Sequence, residues 1–227
     1  QMEASQMVTK LHKDMGRLIR ENVLAALPGD DKIHIAPIWY AVGNILPDIS
    51  LLPLLHPHYA AKSVPYIYKK LMISLAKHRR HHAEQYFFSP IFSLRLGIVC
   101  HYLCDFFCVA HQGEGIDGAK RHLNYEHEMR DFYYENLETI ESLCRMKPKI
   151  RPMQDLGELS SEKIIEVFSS FHAIYKSQQS EFLFSFQSIV SMPYALRKRA
   201  YITDILAAIS CCTYVLCAFS DPIAVPA

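Results

Sequence analysis

Between Gly97 and Glu126 the chain carries five side chains of related chemistry at regular spacing: His101, Asp105, His111, His122 and Glu126. The pattern is H-x3-D-x5-H, then ten residues, then H-x3-E. Residues 94–110 contain no proline and no glycine after Gly97, and they are strongly apolar, so a buried helix is expected there. His101 and Asp105, four apart, then lie one above the other on a single helix face. A histidine and a carboxylate on a buried face are costly unless something satisfies them. His111 falls near the expected helix end, roughly 80° round from His101. His122 and Glu126 repeat the i,i+4 spacing on a following helix, beyond a loop with Gly113, Gly115 and Gly118. A lone His–Asp pair on a helix is most often an ordinary hydrogen-bonded pair, and its spacing is weak evidence for anything more. Two such pairs joined by a third histidine shift the reading. Imidazole and carboxylate on facing helices, with no thiolate required, form the ligand set of a catalytic zinc site.

The rest of the composition sets the frame for that site. With 227 residues, half of them apolar and 21% charged, the chain is long enough for one globular domain, 1–227, with a sizeable core. Its formal net charge of +1 provides no basic field, so nucleic acid is not an expected partner. Glycines are few, at eight, and no segment alternates apolar and polar residues for long. Both features favour an all-α chain, a single-domain multi-helix bundle with the clustered site between helices. Twelve histidines, concentrated between His34 and His127, are many for this length.

The seven cysteines are odd in number and not spaced as a small disulfide framework, which points to a reducing, cytoplasmic setting. Cys100, Cys104 and Cys108 form an i, i+4, i+8 stripe that reads as core packing rather than a thiolate site. Residues 1–22 are polar and amphipathic, with no secretory apolar core. The longest apolar run, 201–219, is interrupted by Thr203, Asp204, Ser210 and Thr213, and reads as a buried helix rather than a transmembrane one.

Along the chain, helices are expected over 5–27, ended by Pro28-Gly29, and over 33–46, with Pro37 tolerated in the first turn. A loop follows over 51–63. Pro90 breaks the chain before the central helix, with Ser93 as a cap. The His122 helix is expected to run on to about 146, stopped by Pro148 and Pro152. Ser160 or Ser161 caps a helix to about 190, and the last helix covers 196–218.

The H-x3-D-x5-H and H-x3-E pattern resembles the zinc-dependent phospholipase C family, whose fold is shared by single-strand-specific zinc nucleases. The resemblance carries over further positions. His12, in the run Leu11-His12-Lys13-Asp14-Met15-Gly16, is similar to a ligand histidine on that family's first helix. The segment Gly43-Asn44-Ile45-Leu46-Pro47-Asp48 resembles the one that delivers a metal-binding aspartate, which makes Asp48 a ligand and a candidate general base. By its residues alone, Asp48 reads as a helix-exit carboxylate. The family also has a histidine shortly after this aspartate. His58 fits that place best, His56 is the alternative, and His78, His81 and His82 read mainly as a solvated basic cluster.

The resemblance implies two or three zinc ions. Asp48, His58, His101 and Asp105 would hold one, and His111, His122 and Glu126 a second. Asp105 would bridge to a third, with His12 among its ligands. In the family's secreted enzymes the amine of a terminal Trp is also a ligand, whereas this sequence has Gln1 and a leader before His12. The implied substrate is a phospholipid or another phosphodiester, reached by transient contact with a membrane surface. Two further readings stand beside it: a single-strand nuclease-like phosphodiesterase, and a non-catalytic helical metal-binding protein.

Overall fold

A computed structural model describes residues 2–26, 35–50, 58, 63–67, 69–70, 73, 90–112, 119–146, 161–180 and 192–220. The helices that form the core and the site are α1 (Met2–Ala26), α2 (Pro37–Ile49), α3 (Pro90–Phe106), α4 (Ala119–Glu135), α5 (Leu137–Met146), α6 (Ser161–Gln178) and α7 (Tyr194–Ser220), and residues 63–67, 69–70 and 73 are also helical. A short 3-10 turn, Val109–His111, follows α3. No strand occurs among the described residues, so the fold is all-α as the composition suggests.

The core is built around α3. Every residue from 99 to 111 is buried, which explains the strongly apolar character of this segment around His101, Asp105 and His111. Helix α2 crosses α3 in direct backbone contact. A Cβ on Gly97 would lie 2.3 Å from the Tyr40 carbonyl oxygen, and one on Gly43 would lie 2.1 Å from that of Leu94. Only glycine at both positions permits this approach. Helix α1 supplies Leu11, Met15, Leu18 and Ile19 to the same core, and α7 supplies Tyr201, Ile205, Ile209 and Cys212. The stretch Tyr194–Cys217 is long and apolar enough to cross a membrane, but about two thirds of its most apolar window (67%) is buried inside the protein. It is the core helix its interrupting polar residues suggest.

Several boundaries differ from the sequence reading, each for a local reason. Pro90 opens α3 instead of preceding it, since its fixed φ suits the first helical turn and its missing N–H has no intrahelical use there. Ser93 is therefore inside the helix, where its Oγ accepts the Ala36 N–H at 3.1 Å and ties α2 to α3. Helix α2 continues through Pro47 to Ile49, which places Asp48 in its last turn. Helix α3 stops at Phe106, not near 110. Cys108 N–H closes on the Asp105 carbonyl at 2.9 Å in a 3-10 bond, and Cys108 itself is extended. The Val109 N–H, which a continuous helix would turn to that carbonyl, goes to Asp204 instead.

The long helix expected after His122 is broken at Asn136. There the Asn136 N–H is shared between the Phe132 carbonyl at 3.1 Å and the Tyr133 carbonyl at 3.3 Å, and its side-chain amide also donates to Phe132 at 2.9 Å. The expected extension of α6 toward 190 lies outside the described residues. The cysteine stripe packs as foreseen, with Cys100, Cys104 and Cys108 buried as free thiols. Cys104 Sγ sits 3.9 Å from Cys212 Sγ across the α3–α7 contact.

Candidate metal centre

The site grows out of the α2–α3 crossing. His101 lies one turn beyond Gly97, and the close approach brings its Nδ1 to 2.9 Å from the Asn44 carbonyl oxygen. A carbonyl can only accept, so Nδ1 carries the proton and Nε2 turns its lone pair into the site. That Nε2 lies 3.2 Å from Asp105 Oδ2 on its own helix and 3.4 Å from Asp48 Oδ1 on α2.

Asp105 is the common neighbour of four imidazoles. His12 Nε2 from α1 is 3.2 Å from Oδ1, and His58 Nδ1 is 2.7 Å from Oδ2. His111 Nε2, delivered by the 3-10 turn, is 3.7 Å from Oδ1. His111 also faces a second carboxylate: its Nε2 is 3.1 Å from Glu126 Oε1, to which His122 Nε2 approaches at 2.9 Å. The early end of α3 produces this arrangement, since the turn carries His111 away from the helix axis toward α4.

All eight expected side chains are thus assembled. Four overlapping groups, His12–His101–Asp105, Asp48–His58–His101, His58–Asp105–His111 and His111–His122–Glu126, each keep their ligand atoms within 4.8 Å of one another. His127, beside Glu126, joins none of these groups. His56, His78, His81 and His82 lie outside the described residues. The side chains of Asp48 (15% exposed), His58 (14%) and His122 (19%) form the open edge, whereas His101 is fully buried and Asp105 nearly so.

Electrostatics alone do not account for so many ionisable groups in one place. Burial by itself raises the Asp105 carboxyl, but His101, His12, His58 and His111 together hold it well below the usual carboxylate range. Burial likewise opposes the charge on Glu126, and hydrogen bonds from His111 and His122 still bring it down to about 2. Burial lowers the His12, His58 and His122 rings, yet Asp105 beside the first two and Glu126 beside the third raise all three above the ordinary histidine value. For His111 burial wins and the ring is lowered. Five imidazoles and three carboxylates are therefore crowded together, with the His12 and His101 ring centres only 4.0 Å apart.

A cation would resolve the arrangement. The buried His101 Nε2 and Asp105 Oδ2 lie close together without the geometry of a hydrogen bond, as lone pairs aimed at a shared point would. Four ligands on zinc at 2.0–2.1 Å are separated by about 3.3 Å along each tetrahedral edge. The contacts of His12 and His101 to Asp105, both 3.2 Å, of His101 to Asp48, 3.4 Å, and of His111 to Glu126, 3.1 Å, match that edge, whereas His58 to Asp105 at 2.7 Å and His122 to Glu126 at 2.9 Å are closer. The donor set of neutral imidazole and carboxylate is also the one zinc takes in catalytic sites.

Spacing alone points to five of these residues. It says nothing of His12, Asp48 or His58, which arrive from distant elements. Reading the sequence also passes over Asn44, whose contribution is a backbone carbonyl, and Asp204, visible only as a carboxylate inside an apolar run. Comparison with curated proteins and with solved structures gives no match. A family profile described as zinc dependent phospholipase C matches residues 11–182, a span that includes all eight converging side chains. The chain belongs to the zinc-dependent phospholipase C family.

Proposed function

We propose that this protein is a zinc-dependent phosphodiester hydrolase of the phospholipase C type, cleaving a phospholipid to diacylglycerol and a phosphorylated head group. The observation that carries the reading is the convergence of five histidines and three carboxylates at ligand spacing. Asp48, His58, His101 and Asp105 would hold one ion and His111, His122 and Glu126 a second. Asp105, with its second oxygen toward His12, would serve a third. Zinc in such a site supplies Lewis acidity toward a phosphoryl oxygen and makes water acidic enough to lose a proton near neutral pH.

The chain's own residues then have distinct tasks. Asp48 suits the general base: one oxygen faces His101, the other accepts the Thr9 hydroxyl at 3.4 Å, and it stands at the open edge. It takes the proton of the attacking water. As the water oxygen bonds to phosphorus, the bond between phosphorus and the glycerol oxygen breaks, and that oxygen takes up the proton held on Asp48. Asp105 and Glu126 fix the rings that surround them, so the polar groups need little reorganisation during reaction. Asn44 sets the tautomer of His101.

A phospholipid substrate implies transient contact with a membrane surface. Helix α2, which carries Asp48, exposes Ile38, Trp39, Val42 and Ile49. The free thiols support a reducing, cytoplasmic setting. The test is zinc content of the purified protein together with hydrolysis of a panel: phosphatidylcholine vesicles, a soluble phosphodiester and single-stranded DNA. Zinc-dependent release of diacylglycerol is the expected result. Zinc in the site with cleavage of DNA alone would replace the phospholipase reading with the nuclease one. Absence of tightly bound zinc would overturn both.

A further inference from the structure

Asp204 lies on α7, outside the span matched by the family profile and apart from the eight converging side chains. It is 2% exposed, in the middle of an apolar helix. Its two oxygens are fully engaged and divided in what they hold. Oδ2 accepts the Val109 N–H at 2.9 Å and the Tyr125 hydroxyl at 2.8 Å. Oδ1 accepts the Tyr175 hydroxyl at 2.9 Å and the side-chain amide of Gln179. Four donors meet a group that, ionised, is acceptor-only with about four lone-pair sites. Burial nevertheless pushes this carboxyl up to about 7, with the four hydrogen bonds opposing it.

The division follows the architecture. Oδ1 anchors the carboxylate to α6. Oδ2 joins the 3-10 turn that delivers His111 to the helix that delivers His122 and Glu126. Val109 is two residues before His111, and Tyr125 is adjacent to Glu126. One oxygen thus fixes the relative position of both halves of the His111–His122–Glu126 group. The same bond to Val109 takes the N–H that would otherwise prolong α3, and so keeps His111 on its turn.

Resting on the zinc-site reading above, we infer that Asp204 is a positioning residue for the His111–His122–Glu126 pocket, acting through Val109 N–H and Tyr125 O–H. Groups one layer behind metal ligands set ligand orientation, and their loss typically weakens metal binding about 10–100-fold.

The experiment compares two removals from the same carboxylate in the full-length, zinc-loaded protein. Tyr125→Phe deletes the hydroxyl on the site side and Tyr175→Phe the one on the scaffold side. Each loses one buried hydrogen bond, so a merely structural role lowers thermal stability in both and zinc affinity in neither. Bound zinc is measured by equilibrium dialysis against buffered free zinc, with His122→Ala marking which ion belongs to this pocket. Tyr125→Phe should weaken that one ion by about tenfold or more. Tyr175→Phe should change it several-fold less at a comparable loss in melting temperature. Asp204→Asn, which keeps one oxygen to face Val109, should retain more of this zinc than Asp204→Ala. Equal zinc affinity in the two phenylalanine variants would overturn the inference while leaving the zinc site standing. If His122→Ala itself releases no zinc, the zinc-site reading has failed, and the positioning role falls with it.

Discussion

Asp105 is the side chain on which the site turns. It faces His12, His58, His101 and His111 at once, and only a carboxylate has two oxygens able to serve ligand positions on opposite sides. His12, by contrast, has one nitrogen near one of those oxygens. Asp105→Asn should therefore lower hydrolysis by at least about 100-fold, above the range seen for residues behind a ligand, and should release more than one zinc per chain. His12→Ala should cost less in both measures. Equal losses, at matched folding, would argue against a shared carboxylate. How much of this was legible depends on sequence distance. His101–Asp105 and His122–Glu126 declare themselves by i,i+4 spacing, because one helix turn joins them. His12, Asp48 and His58 meet α3 only through tertiary packing, so no local period marks them, and resemblance to a family supplied them. Asp204 had no such help: its partners Tyr125 and Val109 are 79 and 95 residues away.

Helix pairs place these residues, and the α2–α3 pair does most of the placing. Gly43 and Gly97 allow the two backbones to touch, and His101 can then reach the Asn44 carbonyl. Gly97→Ala would put a methyl group 2.3 Å from the Tyr40 carbonyl oxygen. Backbone cannot yield as a flexible side chain does, so the helices must separate. The variant should lose about 1–3 kcal/mol in urea unfolding and bind zinc more weakly, because Asp48 and His101 part company. Unchanged stability would show that the crossing is looser than these distances imply. The existence of the described helices was readable from apolar runs and proline placement. Their ends were not, because the deciding hydrogen bonds are not periodic. At the end of α4 the Asn136 N–H is shared between two carbonyls, and a carboxylate on a helix far along the chain takes the N–H that would have extended α3.

The ligands come from α1, α2, residue 58, α3, the 3-10 turn and α4, so zinc should hold much of the fold together. Without cations, Asp105 and Glu126 both press on His111 in a largely dry site. A ligand that binds only the folded chain, at 100 times its dissociation constant, adds about 2.7 kcal/mol. For a chain of this size that is about 5–10 °C in melting temperature. Chelator should lower the melting temperature by at least this much, and zinc should restore it. The effect should also depend on pH in a definite direction. In the metal-free protein His12, His58 and His122 have raised folded-state pKa values. Their contribution to metal-free stability is fully present below the unfolded value near 6.5 and is lost as pH rises through the folded values. Zinc needs the same rings neutral, so its contribution runs the opposite way, strong at high pH and lost to proton competition at low pH. The gap between zinc-loaded and chelated melting temperatures should therefore narrow steadily from pH 8 to pH 6, and His122→Ala should reduce it at pH 8. A gap independent of pH, in a protein that contains zinc, would mean that these histidines are not what holds the metal.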